Sequence, residues 1–177
     1  MLGIMTREAV GAKCEGGAEI AECGRYRYGL WRKWGPGPIC TFVMLNPSTA
    51  DAVQDDPTIR RCISFAKREG CDAVLVKNLF AYRATKPADM MAADDPIGPG
   101  NDADLRDAIR MAERHCWTLI AAWGAHPFAQ ERGKLVASWG KFQCLKKSKC
   151  GAPGHPLYIK GDARLVAFNS RDAISRR

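Results

Sequence analysis

The residues best suited to chemistry in this sequence lie in Ile39–Arg61, where polar side chains follow an apolar run. That run, Ile39–Leu45, is unbroken and rich in β-branched and large side chains, which predicts a strand buried on both faces. Asn46 follows it directly, and its amide oxygen can orient a water molecule although the amide does not titrate. Carboxylates that could assist such a water follow within ten residues of Asn46: Asp51, Asp55 and Asp56.

The same stretch also carries the signals of an ordinary strand-to-helix connection. Asn46, Pro47 and Ser48 are turn formers, and Asp56 before a proline fits the N-cap of a helix. Asp51 fits a solvated loop residue equally well. Both interpretations stay open from the sequence, although a buried strand that leads polar residues into a loop before a helix is where open α/β sheets build their sites.

The elements that would position these side chains alternate between strand and helix patterns. Strands are predicted at 39–45, 73–80, 118–123 and 142–145, and helices at 58–69, about 102–116 and about 128–139. Residues 165–168 fit either a further short strand or part of a C-terminal tail. The alternation predicts a single three-layer α/β/α domain with a mostly parallel central sheet. Because right-handed crossovers bring the loops after parallel strands to one edge, we expect five polar side chains to gather there: Asn46, Asn78, Arg83, His126 and His155.

Two segments precede this pattern. Residues 1–24 are rich in glycine and alanine without clear periodicity, which predicts an irregular N-terminal arm and a domain spanning 25–177. Arg25–Trp34 alternates basic and aromatic residues with a period of two, which predicts an edge strand with one face in solvent. Alternating arginine and tyrosine also suit stacking on bases, and this alternative stays open.

The composition favours a polyanionic partner. The formal net charge is +8 at pH 7, although many basic proteins have no nucleic-acid partner and charge alone does not decide. No apolar run approaches the roughly 20 residues that span a bilayer, and the N-terminus lacks the order of a secretory signal. We therefore predict a cytoplasmic protein without a membrane partner.

Eight cysteines raise the question of a metal site. None of them forms a C-x-x-C pair, the strongest local mark of a zinc or iron–sulfur centre. The remaining metal alternative is a cluster of Cys144, Cys150 and His155 with Cys14 or Cys23 as a fourth ligand. Disulfides are not expected in a reducing compartment. We predict no metal and no cofactor.

Four short motifs, in order along residues 39–158, resemble those of the uracil-DNA glycosylase superfamily. Leu45-Asn46-Pro47-Ser48 resembles the first, which reads Gly-Ile-Asn-Pro-Gly in the mismatch-specific branch. Val76-Lys77-Asn78-Leu79 resembles the second strand motif, and Trp123-Gly124 lies like the end of the strand before the last helix. His155-Pro156-Leu157 resembles a shortened final His-Pro-Ser-Pro loop. The chain also resembles a bacterial and phage domain family with the pattern LNPS-TAD and DPT-RR, which implies no particular chemistry.

The first resemblance implies a uracil-DNA-glycosylase-like fold and a DNA N-glycosylase that flips a nucleotide out of a duplex. No lysine is clearly placed as a Schiff-base nucleophile, so we predict a monofunctional enzyme, and we expect a monomer. It gives Asn46 the role of positioning the attacking water and Asn78 that of binding the base. The predicted catalytic residues are Asn46, Asp51, Asp56 and His155. The predicted substrate-binding residues are Pro47, Ser48, Asn78, Phe80, Arg83 and His126. The predicted contacts to the DNA backbone are Arg60, Arg61, Lys86, Lys146, Lys147 and Lys149.

Ser48 allows an inference about the substrate. Uracil-restricted relatives carry a tyrosine just after the motif's proline, and its ring blocks substituents at C5 of the base. A serine at that position predicts a bulky or C5-substituted target, such as the glucosylated hydroxymethylcytosine of phage DNA, and a role in defence against phage. Two alternatives stay open: a nucleic-acid-binding module without catalysis, and a hydrolase of free nucleosides or nucleotides.

Overall fold

The computed structural model describes residues 14–48 and 55–173 and contains a seven-stranded mixed sheet. Its strands are β1 (Glu15–Ile20), β2 (Arg27–Lys33), β3 (Ile39–Met44), β4 (Ala73–Asn78), β5 (Thr118–Ala121), β6 (Phe142–Cys144) and β7 (Val166–Phe168). Across the sheet they follow the order β1-β2-β4-β3-β5-β6-β7. The central strands β4, β3, β5 and β6 are parallel, and the flanking strands pair antiparallel. The predicted α/β domain with a mostly parallel centre is confirmed.

Helices cover both faces of this sheet. They are α1 (Pro57–Arg68), α2 (Pro87–Met91), α3 (Asn101–Arg114) and α4 (Ala129–Ala137), with short 3₁₀ turns at Pro156–Tyr158 and Ser170–Ala173. One core cluster joins α1 to the sheet, and a second joins α3 and α4 to the opposite face. In the parts of the chain that the structure describes, no helix is long and apolar enough to cross a bilayer.

Strand β3 runs through the middle of the molecule, which explains why its sequence is almost entirely apolar. Successive side chains of a strand point to opposite faces. Phe42 accordingly packs in the core beneath α1, and Val43 packs in the core beneath α3 and α4. Both are fully buried, and the one polar residue of the strand, Thr41, is buried as well. The strand ends at Met44, and Asn46 follows two residues later.

Helix α1 begins and ends where its sequence signals predict. The Asp56 side chain caps the helix, since its Oδ1 accepts a hydrogen bond from the Ile59 N–H at 2.8 Å, and Pro57 occupies the first turn. Gly70 directly follows the C-cap of the helix, and its φ of +74° is a left-handed conformation that favours glycine and ends the helix. The helix-cap interpretation of Asp56 is confirmed.

Two predictions for the N-terminal region are wrong. Glu15–Ile20 is not an irregular arm but forms edge strand β1, and residues 1–13 lie outside the described residues. Strand β2 is therefore internal, between β1 and β4, rather than an edge strand. Its Arg32 is only 5% exposed because the Nε donates to Asp55 Oδ1 at 2.9 Å, a contact between residues 23 positions apart. Burial of Arg27 at the start of the strand lowers its pKa to about 10.

Candidate functional site

The sheet has a topological switch point between β3 and β5. From β3 the chain crosses to β4 on one side, and it later returns to β5 on the other side. Loops that leave β3 and β5 therefore diverge at the carboxyl ends of these two parallel strands. Open α/β sheets bind ligands in the crevice that this divergence creates.

An open cavity of about 900 Å³ occupies this crevice. Its lining comes from the loops after β3, β4, β5 and β6, so it is assembled only when the whole parallel centre has formed. The lining residues are Met44, Leu45, Asn46, Thr85, Pro87, Trp123, Gly124, Ala125, His126, Lys146, Lys147, Ser148, Lys149, Pro153, Gly154, His155, Tyr158 and Ile159. The structure thus brings together Asn46, His126 and His155 with the predicted lysines of the loop after β6.

Asn46 is half-buried at the end of β3, and its amide has a fixed orientation. The Nδ2 donates to Ala84 O at 2.9 Å and to Pro47 O at 3.2 Å. Pro47 O also accepts from the Ala84 N–H at 3.1 Å, which ties the loop after β3 to the loop after β4. Since both donor bonds go to backbone carbonyls, the Oδ1 is the atom that remains to act as an acceptor in the cavity.

His155 lies at the start of the 3₁₀ turn Pro156–Tyr158 and has a defined acceptor nitrogen. Its Nδ1 accepts a hydrogen bond from the Leu157 N–H at 3.3 Å. Burial lowers the pKa of His155, and the negative charge of Asp56 opposes that shift. The imidazole is therefore neutral at pH 7, and with Nδ1 as acceptor its proton is on Nε2. The side chain offers the cavity a neutral N–H donor.

His126 contributes a second imidazole from the loop after β5. Its Nδ1 accepts from the Phe128 N–H at 3.4 Å, and its ring packs against the Phe128 ring at 4.7 Å between centroids. This interaction precedes α4 and orients the ring within the cavity wall. His126 therefore has both the structural role expected of a histidine before proline and a place in the site.

Three lysines border the cavity on a loop closed by its own backbone. Lys147 pairs with Pro153 in an isolated bridge, and the Gly154 N–H donates to Lys146 O at 2.7 Å. The exposed side chains of this loop carry the positive charge at the cavity: Lys146, Lys147 and Lys149. Such an arrangement favours an anionic ligand.

Several residues predicted for substrate binding are not among those that line the cavity. Asn78 is 2% exposed at the end of β4, Phe80 is 5% exposed in the core beneath α3, and Arg83 donates to Gly24 O at 2.9 Å. The reason is strand order, because β4 lies on the far side of β3 from β5. The Nδ2 of Asn78 has no hydrogen-bond partner among the described residues.

The residues around the start of α1 also differ from the prediction. Pro47 is buried, and the Ser48 hydroxyl lies 3.4 Å from Asp56 Oδ2 rather than in the cavity lining. Asp56 is engaged as the helix cap, and Asp51 lies outside the described residues. Thus no described residue supplies a carboxylate to the lining of the cavity.

The predicted phosphate contacts fall into two groups. Arg60 and Lys86 are exposed, although Arg60 also donates to Asp55 O at 2.6 Å. Arg61, in contrast, is directed inward and donates to Pro156 O at 3.5 Å and to Ile159 O. Its guanidinium is committed to the protein's own backbone, which is not the arrangement of a phosphate contact.

Tyr158 is one of the cavity residues that sequence reasoning missed. It is 80% exposed, and its ring lies 5.5 Å from that of His155. An aromatic residue three positions after the histidine of a His-Pro segment was the available signal. A largely exposed tyrosine beside a cavity is typical of binding sites rather than of cores.

The structure also bears on the cysteine cluster. Cys144 is buried within β6, whereas Cys150 is exposed with its Sγ 3.0 Å from Ser148 Oγ. Within residues 14–48 and 55–173, no three histidine, cysteine or acidic side chains are grouped so that they could hold a metal ion.

Comparison with known proteins identifies a family. Residues 27–157 match the family described as "Protein of unknown function (DUF1643)". The match covers more than half of the chain, so the protein belongs to this family. Neither the comparison with curated proteins nor that with solved structures gave a match. The family description names no activity and makes no link to the uracil-DNA glycosylase superfamily.

Proposed function

We propose that the protein is a DNA N-glycosylase that hydrolyses the N-glycosidic bond of a flipped-out pyrimidine substituted at C5 and leaves an abasic site. The observation that carries this proposal is the convergence of Asn46, His126 and His155 on one cavity, from loops after three different strands. Lysines at the same cavity supply the charge that a nucleic-acid substrate requires.

The reaction needs an oriented water and a donor to the departing base. The bond between C1′ and the base nitrogen breaks and its electron pair leaves with the base, while a water oxygen bonds to C1′. The added water loses one proton to solvent and the departing anion takes up one proton from solvent, so the products are the free base and an abasic sugar. Asn46 Oδ1 can accept a hydrogen bond from the water, since its Nδ2 is held by Ala84 O and Pro47 O. The Nε2–H of His155 can donate to a carbonyl oxygen of the base, where negative charge develops.

A neutral imidazole is well matched to this role. An imidazolium would lose its proton readily to the leaving base, whereas a neutral N–H stabilises the anion without being transferred. Because the sugar carries positive charge in the transition state, orientation of the water is more important than its deprotonation. This chemistry accommodates a site in which Asp56 serves as a helix cap.

The size of the cavity supports a substituted base. Ligand cavities span about 300–1,000 Å³, and the volume of about 900 Å³ lies near the upper end of that range. A volume of this size accommodates a flipped nucleotide whose base carries a bulky C5 substituent. Ser48 is not among the lining residues, so the room in the cavity, and not Ser48, is what supports the C5 inference. In place of Asn78, we assign His126 to the edge of the base and Tyr158 to stacking, which is worth about 1–3 kcal/mol per base.

The test is release of free base from defined duplexes. Oligonucleotides would carry one glucosylated hydroxymethylcytosine, one uracil, or one thymine opposite guanine, and mass spectrometry would detect free base and abasic strand. We expect release from the glucosylated duplex. Activity on uracil alone would contradict the C5 inference, and release only from the free modified nucleotide would indicate a nucleotide hydrolase. Duplex binding without release from any substrate would indicate a binding module.

A further inference from the structure

We propose that Arg61 of α1 is a positioning residue that holds the 3₁₀ turn Pro156–Tyr158, and with it His155, at the wall of the cavity. The inference concerns the construction of the site and goes beyond the proposed reaction. It holds whatever ligand the cavity takes, so its test has a readout that requires no substrate.

Arg61 bridges both ends of the turn. Its Nε donates to Pro156 O at 3.5 Å and its Nη2 donates to Ile159 O. The turn has few internal bonds of its own: the Tyr158 N–H donates to His155 O at 3.0 Å, and the Ile159 N–H donates to Pro156 O at 3.3 Å. A planar guanidinium with several fixed donors can hold two carbonyls at once, which sets the orientation of the turn as well as its distance from α1.

A second arginine extends the same attachment. Arg68, two turns further along α1, donates through Nη1 to Gly161 O at 2.6 Å. The guanidinium groups of Arg61 and Arg68 lie 4.8 Å and 4.9 Å from the centre of the Phe65 ring. The ring of this buried phenylalanine therefore fixes both arginines, and their donors hold the segment from Pro156 to Gly161 against the helix.

The attachment gives a role to the segment from Asp55 to Arg61, which takes no part in the proposed reaction. Asp56 and Pro57 fix the first turn of α1, and Arg61 lies five residues after the cap, about 7.5 Å along the helix axis. The adjacent Arg60 is rotated by about 100° and is exposed, with its Nη1 on Asp55 O. Two consecutive arginines thus have different surroundings, and only Arg61 contacts the turn.

The charged and titratable groups around His155 come from several elements. Asp56 caps α1 and Arg61 lies on it, and Tyr158 belongs to the turn itself. His126 and the lysines 146, 147 and 149 line the same cavity. Burial is the main cause of the lowered pKa of His155. Displacement of the turn would expose the imidazole to water and raise its pKa toward the ordinary value of 6.5.

The test is an NMR titration of the histidine side chains. The chain has three histidines, so the imidazole signals can be assigned by single substitutions. We expect Arg61→Ala and Arg61→Lys to raise the pKa of His155 and to speed hydrogen exchange of the Tyr158 amide, because a lysine does not reproduce the two-carbonyl contact. Arg60→Ala is the matched control, and it is expected to leave both measurements as in the wild type.

Three results would overturn the proposal. The first is a wild-type pKa of His155 in Arg61→Ala with only a lower melting temperature, which would indicate a purely structural arginine. The second is a wild-type pKa and amide exchange in Arg61→Lys, which would indicate an effect of charge alone. The third is an equal effect of Arg60→Ala. Each result is independent of whether the wild-type protein releases a base, so failure of this proposal and failure of the glycosylase proposal are distinguishable.

Discussion

At the scale of single residues, the site depends on side chains whose orientation is set by backbone groups. Asn46 gives its amide donors to Ala84 O and Pro47 O, and His155 accepts the Leu157 N–H at Nδ1. The protein uses the amide donors of Asn46 and leaves its Oδ1 as an acceptor for a ligand. It uses the Nδ1 acceptor of His155 and leaves the Nε2–H as a donor. Preorganised groups of this kind stabilise charge without reorganisation during the reaction.

The lowered pKa of His155 predicts how stability depends on pH. In the unfolded chain the imidazole titrates near 6.5, so on acidification the unfolded state binds a proton before the folded state does. The free energy of unfolding should therefore be highest above pH 7 and fall as the pH drops through 6.5 toward the folded pKa. The variant His155→Gln should show a smaller fall, measured by urea unfolding between pH 7.5 and pH 5.

The exposed imidazole of His115 provides the control for this experiment. His115→Gln removes a histidine from the C-terminal cap of α3, away from the cavity, and serves as the comparison for the loss of an exposed histidine. Identical profiles for wild type and His155→Gln would show that burial does not hold His155 in its neutral form.

At the scale of elements, Asp56 caps the start of α1, and substitutions of this residue distinguish a structural role from a catalytic one. Asp56→Ala should lower the free energy of unfolding by about 1 kcal/mol, because it removes the cap of the Ile59 N–H. Asp56→Asn should cost much less, since asparagine is an equally good N-cap, and should keep base release. Asp107→Ala, an exposed position on α3, is the control and should change stability by less than about 0.5 kcal/mol. Loss of base release in Asp56→Asn with normal stability would contradict the cap-only role.

Local sequence signals predicted most of these elements and missed those that depend on distant partners. The apolar run of β3 and the cap, proline and glycine around α1 are read from neighbouring residues, and both elements have nearly the predicted bounds. Strand β1 was missed because its glycines carry no β pattern, and it exists through pairing with β2. The burial of Arg32 was missed because Asp55 lies 23 residues away.

At the scale of the whole molecule, strand order decides which predicted residues meet. Asn46 follows β3 and Asn78 is the last residue of β4, and local patterns place both of them at the ends of buried strands. Because the strand order is β4-β3-β5, Asn46 lies at the switch point between β3 and β5 and lines the cavity, whereas Asn78 lies on β4, on the other side of β3, and does not. Sequence patterns predict that the loops share one edge of the sheet, but not which strands are neighbours. They therefore predict at which edge the site lies, but only some of the residues that line it.

The lysines beside the cavity predict the salt dependence of DNA binding. Replacing Lys146 and Lys149 by alanine should weaken binding to any duplex and reduce the slope of log K against log salt by about 1–2, because each lost phosphate contact lowers the slope by about 0.9. Lys33 and Lys141 provide a control pair at the opposite end of the sheet, near the start of β4 and β6. An equal loss of slope in the control pair would indicate binding to diffuse charge rather than at the cavity.

The most direct measurement of the central claim compares wild type, Asn46→Ala and Gln143→Ala by mass spectrometry on the duplex with one glucosylated hydroxymethylcytosine. Gln143 is an exposed carboxamide on β6 and serves as the matched control. We expect free modified base and an abasic strand with wild type and Gln143→Ala, and a loss of about 100-fold or more in rate with Asn46→Ala at unchanged DNA affinity. An intact strand with the wild-type protein, or full release by Asn46→Ala, would contradict it.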